Sequence, residues 1–175
     1  VILTMLDRDQ AGLGIAMMDQ PTPFIETEVV GYTRVVCVLP AGHALAERDS
    51  VGAEDLDGET LISYRAESLP GQLLRDALAK QGLPFRPEME IDVSIIALAF
   101  VQQGLGVAVV DGLLPWHNFP GLVTRPFRPH VALPLCLLTS TRRPLSRSHE
   151  LLRNHIRTAC QQLGLDQPAP PATEA

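Results

Sequence analysis

Residues 100–112 read FVQQGLGVAVVDG, and Gly104-Leu105-Gly106 has the glycine spacing of a phosphate-cradling loop. Such a loop needs a strand before the glycines and a helix after them, so that the pyrophosphate meets the positive helix N-terminus. Here the order is reversed. A helical pattern comes first, and the apolar run Val107–Val110 follows. Val109 also stands where a third glycine would be needed. The pair therefore falls at a helix C-terminus, whose negative dipole end repels phosphate. It reads as a left-handed cap at Gly104 and a close-packed step into a sheet at Gly106.

Other residues with reactive groups are scattered. Asp92 and Asp111 stand at the ends of strand-like runs, where capping or surface roles compete with acid–base chemistry. No GxSxG elbow is present. His43 lies in a Pro-Ala-Gly-His turn with no obvious partner. The histidines (43, 117, 130, 149 and 155) show no metal-site spacing, so neither a metal nor a cofactor is expected. Cys37, Cys136 and Cys160 form no CxxC pair and read as buried free thiols of a reducing, cytoplasmic setting.

A stronger signal lies in two strand-to-helix turns. Tyr64 to Pro70 leads into one helix and Asp92 to Ile95 into another, each with a serine (Ser68, Ser94) at the N-cap position. In an open α/β sheet such turns lie at the carboxyl ends of strands, where ligands bind and helix N-termini favour anions. Two of them side by side suit a small carboxylate. Each serine has an equally available role as the cap of its own helix.

Around these turns the chain alternates strands and helices, which implies an α/β fold. Its 175 residues suffice for one domain or two small lobes, and 46% hydrophobic content supports a core. Net charge is −6, so the basic footprint of a nucleic-acid binder is missing, and no apolar run reaches membrane-span length. Residues 1–9 read as the end of a helix and 12–18 as a short buried strand. Residues 24–39 read as a long or broken strand. The helix after Ser68 should bury Leu73, Leu74, Ala77 and Leu78. The helix over 95–103 should bury Ile95, Leu98 and Val101. The helix after Ser146 should bury Leu151, Leu152, Ile156 and Ala159. Residues 166–175 read as a disordered tail.

Taken in order, GLGIA at 12–16, RVVCVLPAGHALA at 34–46, EDLDGE at 54–59, EIDVS at 90–94, LAFVQQGLGVAVVD at 98–111 and RPLS at 143–146 resemble the effector-binding domain of LysR-type transcriptional regulators. The likeness spans about residues 1–165. IET at 25–27, IDVS at 91–94, VAVVD at 107–111 and RPF at 125–127 are most similar to the opine-type subgroup.

The resemblance implies a two-lobed type 2 periplasmic-binding-protein fold with mixed sheets, the first lobe incomplete. Residues 1–30 and 131–165 would form the first lobe, and 31–130 the second. It implies a small organic effector held between the lobes, with Ser68, Leu69, Pro70 and Ser94 on one wall and Met18 and Asp19 reaching from the other. It implies a homodimer or tetramer built partly by the helix over 95–103. DNA would be contacted only through an N-terminal domain, which together with the first units of the first lobe would precede Val1. Two rivals remain. A transporter's solute-binding protein would carry a secretory signal. A small α/β enzyme would need a base and a nucleophile within hydrogen-bond reach.

Overall fold

The computed structural model describes residues 1–18 and 22–165. Asp19 and the expected tail at 166–175 lie outside the described residues. The chain divides into two compact units. Among the described residues, unit 1 holds 1–33 and 134–165, and unit 2 holds Arg34–Leu133. Two strands, β2 (Ile25–Pro40) and β8 (Ala132–Ser140), run from one unit into the other.

Unit 1 contains α1 (Ile2–Asp7), β1 (Leu13–Ala16), the first half of β2, most of β8 and α4 (Arg147–Gln162). β1 pairs antiparallel with β8, with Leu13 opposite Thr139 and Ala16 opposite Cys136. Leu6, Ile25, Cys136 and Leu138 form the core, with Ile2, Leu3, Ala11, Ala16 and Met18 packed against it. α4 departs from expectation. Cys160 is its one buried residue, while Leu151 and Leu152 are about half exposed and Ala159 is exposed. What holds α4 is polar: Arg157 donates to both carboxylate oxygens of Glu28 on β2, each at 2.7 Å. A bidentate pair of this kind fixes orientation as well as position.

Unit 2 is built on a sheet in the order β5–β4–β6–β2–β7–β3. β4 (Leu61–Tyr64) lies parallel to both β5 (Met89–Ile91) and β6 (Val107–Asp111). β2 runs antiparallel to β6 and to β7 (Leu122–Arg128), and the short β3 (Val51–Gly52) pairs parallel with β7. β4 and β6 are buried along their whole length and mostly apolar, as strands covered on both faces must be. α2 (Leu69–Ala79) connects β4 to β5, and α3 (Ile95–Gln102) connects β5 to β6. The two crossovers run in opposite directions across the sheet, so right-handed connections place the helices on opposite faces.

The helices are held differently. α2 buries Leu74 and Leu78, as its spacing predicts, with Leu73 and Ala77 half-buried. α3 buries only Ala97 and Val101. Ile95, expected inside, is 40% exposed, and Ile96 is 45% exposed. α3 is apolar all round, so periodicity carries no phase for it.

The glycine joint after α3 behaves as geometry. Gly104 has φ +68, its N–H donates to Val101 and the Leu105 N–H to Phe100, a Schellman stop. At Gly106 a Cβ would stand 2.2 Å from the Thr60 carbonyl, which instead accepts the Val107 N–H at 3.0 Å. A side chain there would push β6 off β4.

Candidate functional site

β4, β5 and β6 end level with one another. Tyr64 stands opposite Ile91, and Ser63 opposite Val109. The chain leaves β4 toward β5 and leaves β6 toward the other side of the sheet. The crevice beyond β4 and β6 is therefore a topological switch point, the place where open α/β sheets bind ligands.

The turn after β4 is closed by Ser68. Its N–H donates to the Arg65 carbonyl at 3.0 Å, and its hydroxyl donates to the same carbonyl at 2.8 Å. The hydroxyl oxygen accepts the Gly71 N–H at 3.2 Å, the expected N-cap bond. Leu69, half-buried, opens the helix, and the buried Pro70 follows in the first turn, where its missing N–H costs nothing. Arg65 is exposed and stands 3.9 Å from Asp92 of the neighbouring turn. Thus Ser68, Leu69 and Pro70 share one sheet edge with Ser94.

Ser94 occupies the N-cap position of α3, but its hydroxyl makes no cap bond. Its own backbone is already helical (φ −56, ψ −33). The N–H groups of Ile96 and Ala97 turn back onto the carbonyls of Val93 and Ser94. Ser94 is buried, and it lies close enough to Tyr64 to offset a small part of the rise in that phenol's pKa. The expectation of a side-chain cap at Ser94 is corrected: an N-cap residue whose own backbone is already helical does not aim its hydroxyl at the first-turn N–H groups.

Tyr64 and Asp111 complete a polar cluster that the spacing of residues did not reveal. The Tyr64 phenol donates to Asp111 Oδ2 and accepts the Asp111 N–H at 3.1 Å. Asp111 Oδ1 accepts the Leu113 N–H at 2.9 Å, and its carbonyl accepts the Trp116 indole N–H at 2.9 Å. Asp111 is 3% exposed and Tyr64 4%. Burial, and then the Asp111 charge, push the Tyr64 phenol well above its ordinary range, so it keeps its proton. Asp111 thus has a buried structural role, whereas Asp92 is exposed.

Met18 belongs to unit 1. It is half-buried, packs against that unit's core, and its carbonyl accepts the Cys136 thiol at 3.0 Å. His43, read from the sequence as unpartnered, has two partners. Nδ1 accepts the Leu45 N–H at 3.2 Å, and Nε2 lies 3.3 Å from Glu59. Burial pushes the Cys37 thiol up to about 12, so it stays a neutral core group.

A cavity of about 580 Å³ in unit 2 lies elsewhere, at the opposite end of β4. Glu54, Asp57, Glu59 and Glu88 outnumber Arg86 in its lining. Its size alone would nominate it, but that charge repels a carboxylate, and the switch point is the better anion site. Among the described residues a serine–histidine contact joins Ser146 to His149 at 3.0 Å in unit 1. It is the exposed cap of α4, with the serine oxygen also taking the His149 N–H. Among the described residues, no group of three or more His, Cys, Asp or Glu is placed to hold a metal ion.

Known proteins share this fold. The profile of the LysR substrate binding domain matches residues 1–161. The regulatory protein NocR of Agrobacterium tumefaciens (strain T37) is 29% identical over 147 residues, covering 83% of this chain and 49% of NocR. The chain thus spans about half the length of that relative. Among solved structures, the effector binding domain of QuiR in complex with shikimate superposes with TM-score 0.77 at 15% identity, over 92% of this chain and 77% of that one. The BenM effector binding domain with its effector benzoate gives TM-score 0.74 at 19% identity, over 99% and 80%. The fold is that of these effector-binding domains, and the chain belongs to the LysR substrate-binding-domain family.

Proposed function

We propose that this chain is the effector-sensing part of a cytoplasmic DNA-binding transcriptional regulator, not an enzyme. Its effector is a small organic acid, carboxylate or amino-acid-like, bound at the carboxyl edge of unit 2. Ser68, Leu69, Pro70 and Ser94 contact it there, and Met18 and Asp19 are candidates from unit 1. The observation that carries this reading is Ser94, a buried serine at a switch point whose hydroxyl is not spent on its own helix. Benzoate and shikimate, named with BenM and QuiR, are both carboxylates and support the ligand class. The opine-type likeness is supported by NocR and by the octopine catabolism/uptake operon regulatory protein OccR of Rhizobium meliloti, 29% identical over 97 residues.

Binding would act by differential affinity for alternative arrangements of the protein, shifting their populations. DNA contact belongs to a segment outside this chain, which is itself acidic. The exposed isoleucines of α3 suit assembly into a homodimer or tetramer. No described helix is long and apolar enough to cross a membrane.

The test is a thermal-shift screen of the full-length protein against carboxylates and amino-acid derivatives, followed by titration of the hits. A stabilised transition that is weakened in Ser94→Val supports the reading. Binding indifferent to Ser94→Val removes the site assignment, and turnover of a hit removes the regulator reading.

A further inference from the structure

The cavity at the far end of β4 differs from the switch point in chemistry as well as in place. Its volume of about 580 Å³ lies in the range of small-molecule pockets. One wall is apolar. Leu61 of β4 and Leu78 of α2 are buried there, and the half-buried Leu83 follows in the chain after α2. The other wall is anionic, with Glu54, Asp57, Glu59 and Glu88 set against Arg86.

The structure fixes this charge more than it offsets it. Glu88 is clamped to Leu61: its N–H donates to the Leu61 carbonyl at 2.9 Å, and its Oε2 accepts the Leu61 N–H at 2.7 Å. The two bonds hold the carboxylate beside the apolar wall without neutralising it. A carboxylate that accepts one N–H still has lone pairs for a ligand. Glu59 lies 3.3 Å from His43 Nε2, a contact that offsets its charge only when the ring is protonated. Glu54 is 3.8 Å from Arg128, with both side chains exposed and the pair screened by solvent. These carboxylates do not converge on a point, since no group of three or more His, Cys, Asp or Glu among the described residues is placed to hold a metal ion. Negative charge spread around a leucine wall suits an extended cation rather than a compact one.

We propose that this cavity binds a small organic cation, an ammonium or guanidinium group on an apolar body. The body lies on Leu61, Leu78 and Leu83. The cationic head donates to Glu88, with Asp57 and Glu59 around it. An ammonium has three donors and no acceptor, so each hydrogen bond it makes here runs toward a carboxylate and is charge-assisted. Arg86 opposes the ligand from the same lining. The site is separate from the effector edge, where Ser68 and Ser94 stand beyond the other end of β4 and β5.

The test titrates the full-length protein calorimetrically with phenethylammonium, its neutral isostere 2-phenylethanol, and agmatine. Both cations should bind, and phenethylammonium should bind about tenfold or more tightly than the alcohol, the worth of a charge-assisted hydrogen bond. Glu88→Gln keeps an amide oxygen for the Leu61 N–H but removes the charge, so it should weaken both cations. Asp57→Asn, at an exposed position, should weaken them less. Arg86→Gln should tighten them, a change of opposite sign that damage to the fold does not produce. Ser94→Val should leave cation affinity unchanged, even where it harms effector binding. Magnesium should displace phenethylammonium no more than sodium chloride does at equal ionic strength.

Failure of both cations to bind, equal affinity for the amine and the alcohol, or binding indifferent to Glu88→Gln overturns the inference. Loss of cation binding in Ser94→Val overturns it too, because the cation then sits at the effector edge. Displacement by magnesium beyond the salt control does the same, because the carboxylates then serve a metal ion.

Discussion

α2 begins at Ser68, whose hydroxyl takes the Gly71 N–H at 3.2 Å, and its body is anchored by the buried Leu74 and Leu78. α3 begins at Ser94, whose hydroxyl makes no cap bond, and its body is anchored only by Ala97 and Val101. Both follow parallel strands of the same sheet, and both open with a serine. One start stabilises its own helix, while the other is buried with no side-chain bond to its helix. The difference separates a hydroxyl spent on its own helix from one that is not. α3 has correspondingly little apolar anchorage, and its outer face keeps Ile95 and Ile96 in solvent.

The largest test of this contrast lies in the helix bodies. Leu74→Ala should cost about 3 kcal/mol, since a fully buried leucine leaves both lost transfer energy and a cavity. Ile96→Ala, on the exposed face of α3, should stay within about 0.5 kcal/mol. Chemical denaturation of the two variants checks both values. A similar loss in each would mean that α3 is anchored through its outer face, and the contrast between the helices would break.

Next in size is Tyr64→Phe. It leaves Asp111 Oδ2 buried without its donor, and an unsatisfied buried acceptor costs about 1–3 kcal/mol. Ser68→Ala follows at about 1 kcal/mol, the usual worth of an N-cap. Ser94→Ala should cost less than Ser68→Ala, because no cap bond is lost, yet it should harm effector binding more. That crossing of stability against affinity, read by denaturation and titration on the same two variants, is the sharpest form of the comparison. Should Ser94→Ala prove the more destabilising and leave affinity alone, Ser94 is a structural residue.

How far these features were legible follows from the kind of pattern each one makes. The strands stand out as β-branched runs, and α2 as a leucine face with a clear phase. α3 gives existence but no phase, since every side of Ile95–Phe100 is apolar. α4 misleads: the rule that leucines face inward puts Leu151 and Leu152 in the core, whereas the helix is fixed by Arg157 reaching Glu28, 129 residues earlier. Ser68 and Ser94 carry the same local signal. What distinguishes them is the cap bond that Ser68 makes and Ser94 does not, set by the backbone of each turn and not by its residue types. Likewise His43 meets Glu59 only after the chain has turned back on itself. Local chemistry shows in sequence, whereas pairings between strands appear only once the sheet has set its register.

α4 extends the comparison to a third helix opened by serine. Ser146 caps it as Ser68 caps α2, accepting the His149 N–H at 3.3 Å. Its body is held on unit 1 by the Glu28–Arg157 pair rather than by leucines. The hydrogen bond from Arg157 holds the Glu28 carboxyl below its ordinary value, outweighing a partial loss of hydration. A carboxylate whose folded pKa is lowered stabilises the fold above its unfolded pKa of about 4.5. That contribution is lost as pH falls through the lower folded value. Arg157→Gln should therefore lower the melting temperature at pH 7 and flatten its decline below about pH 4.5. The two proteins should converge in strong acid. Both side chains are 37% exposed, so solvent and salt screen the pair and the effect is the smallest of the series. If wild type and Arg157→Gln melt in parallel from pH 7 to pH 3, the ion pair contributes nothing, and α4 must be held by Cys160 and the half-buried Ile156.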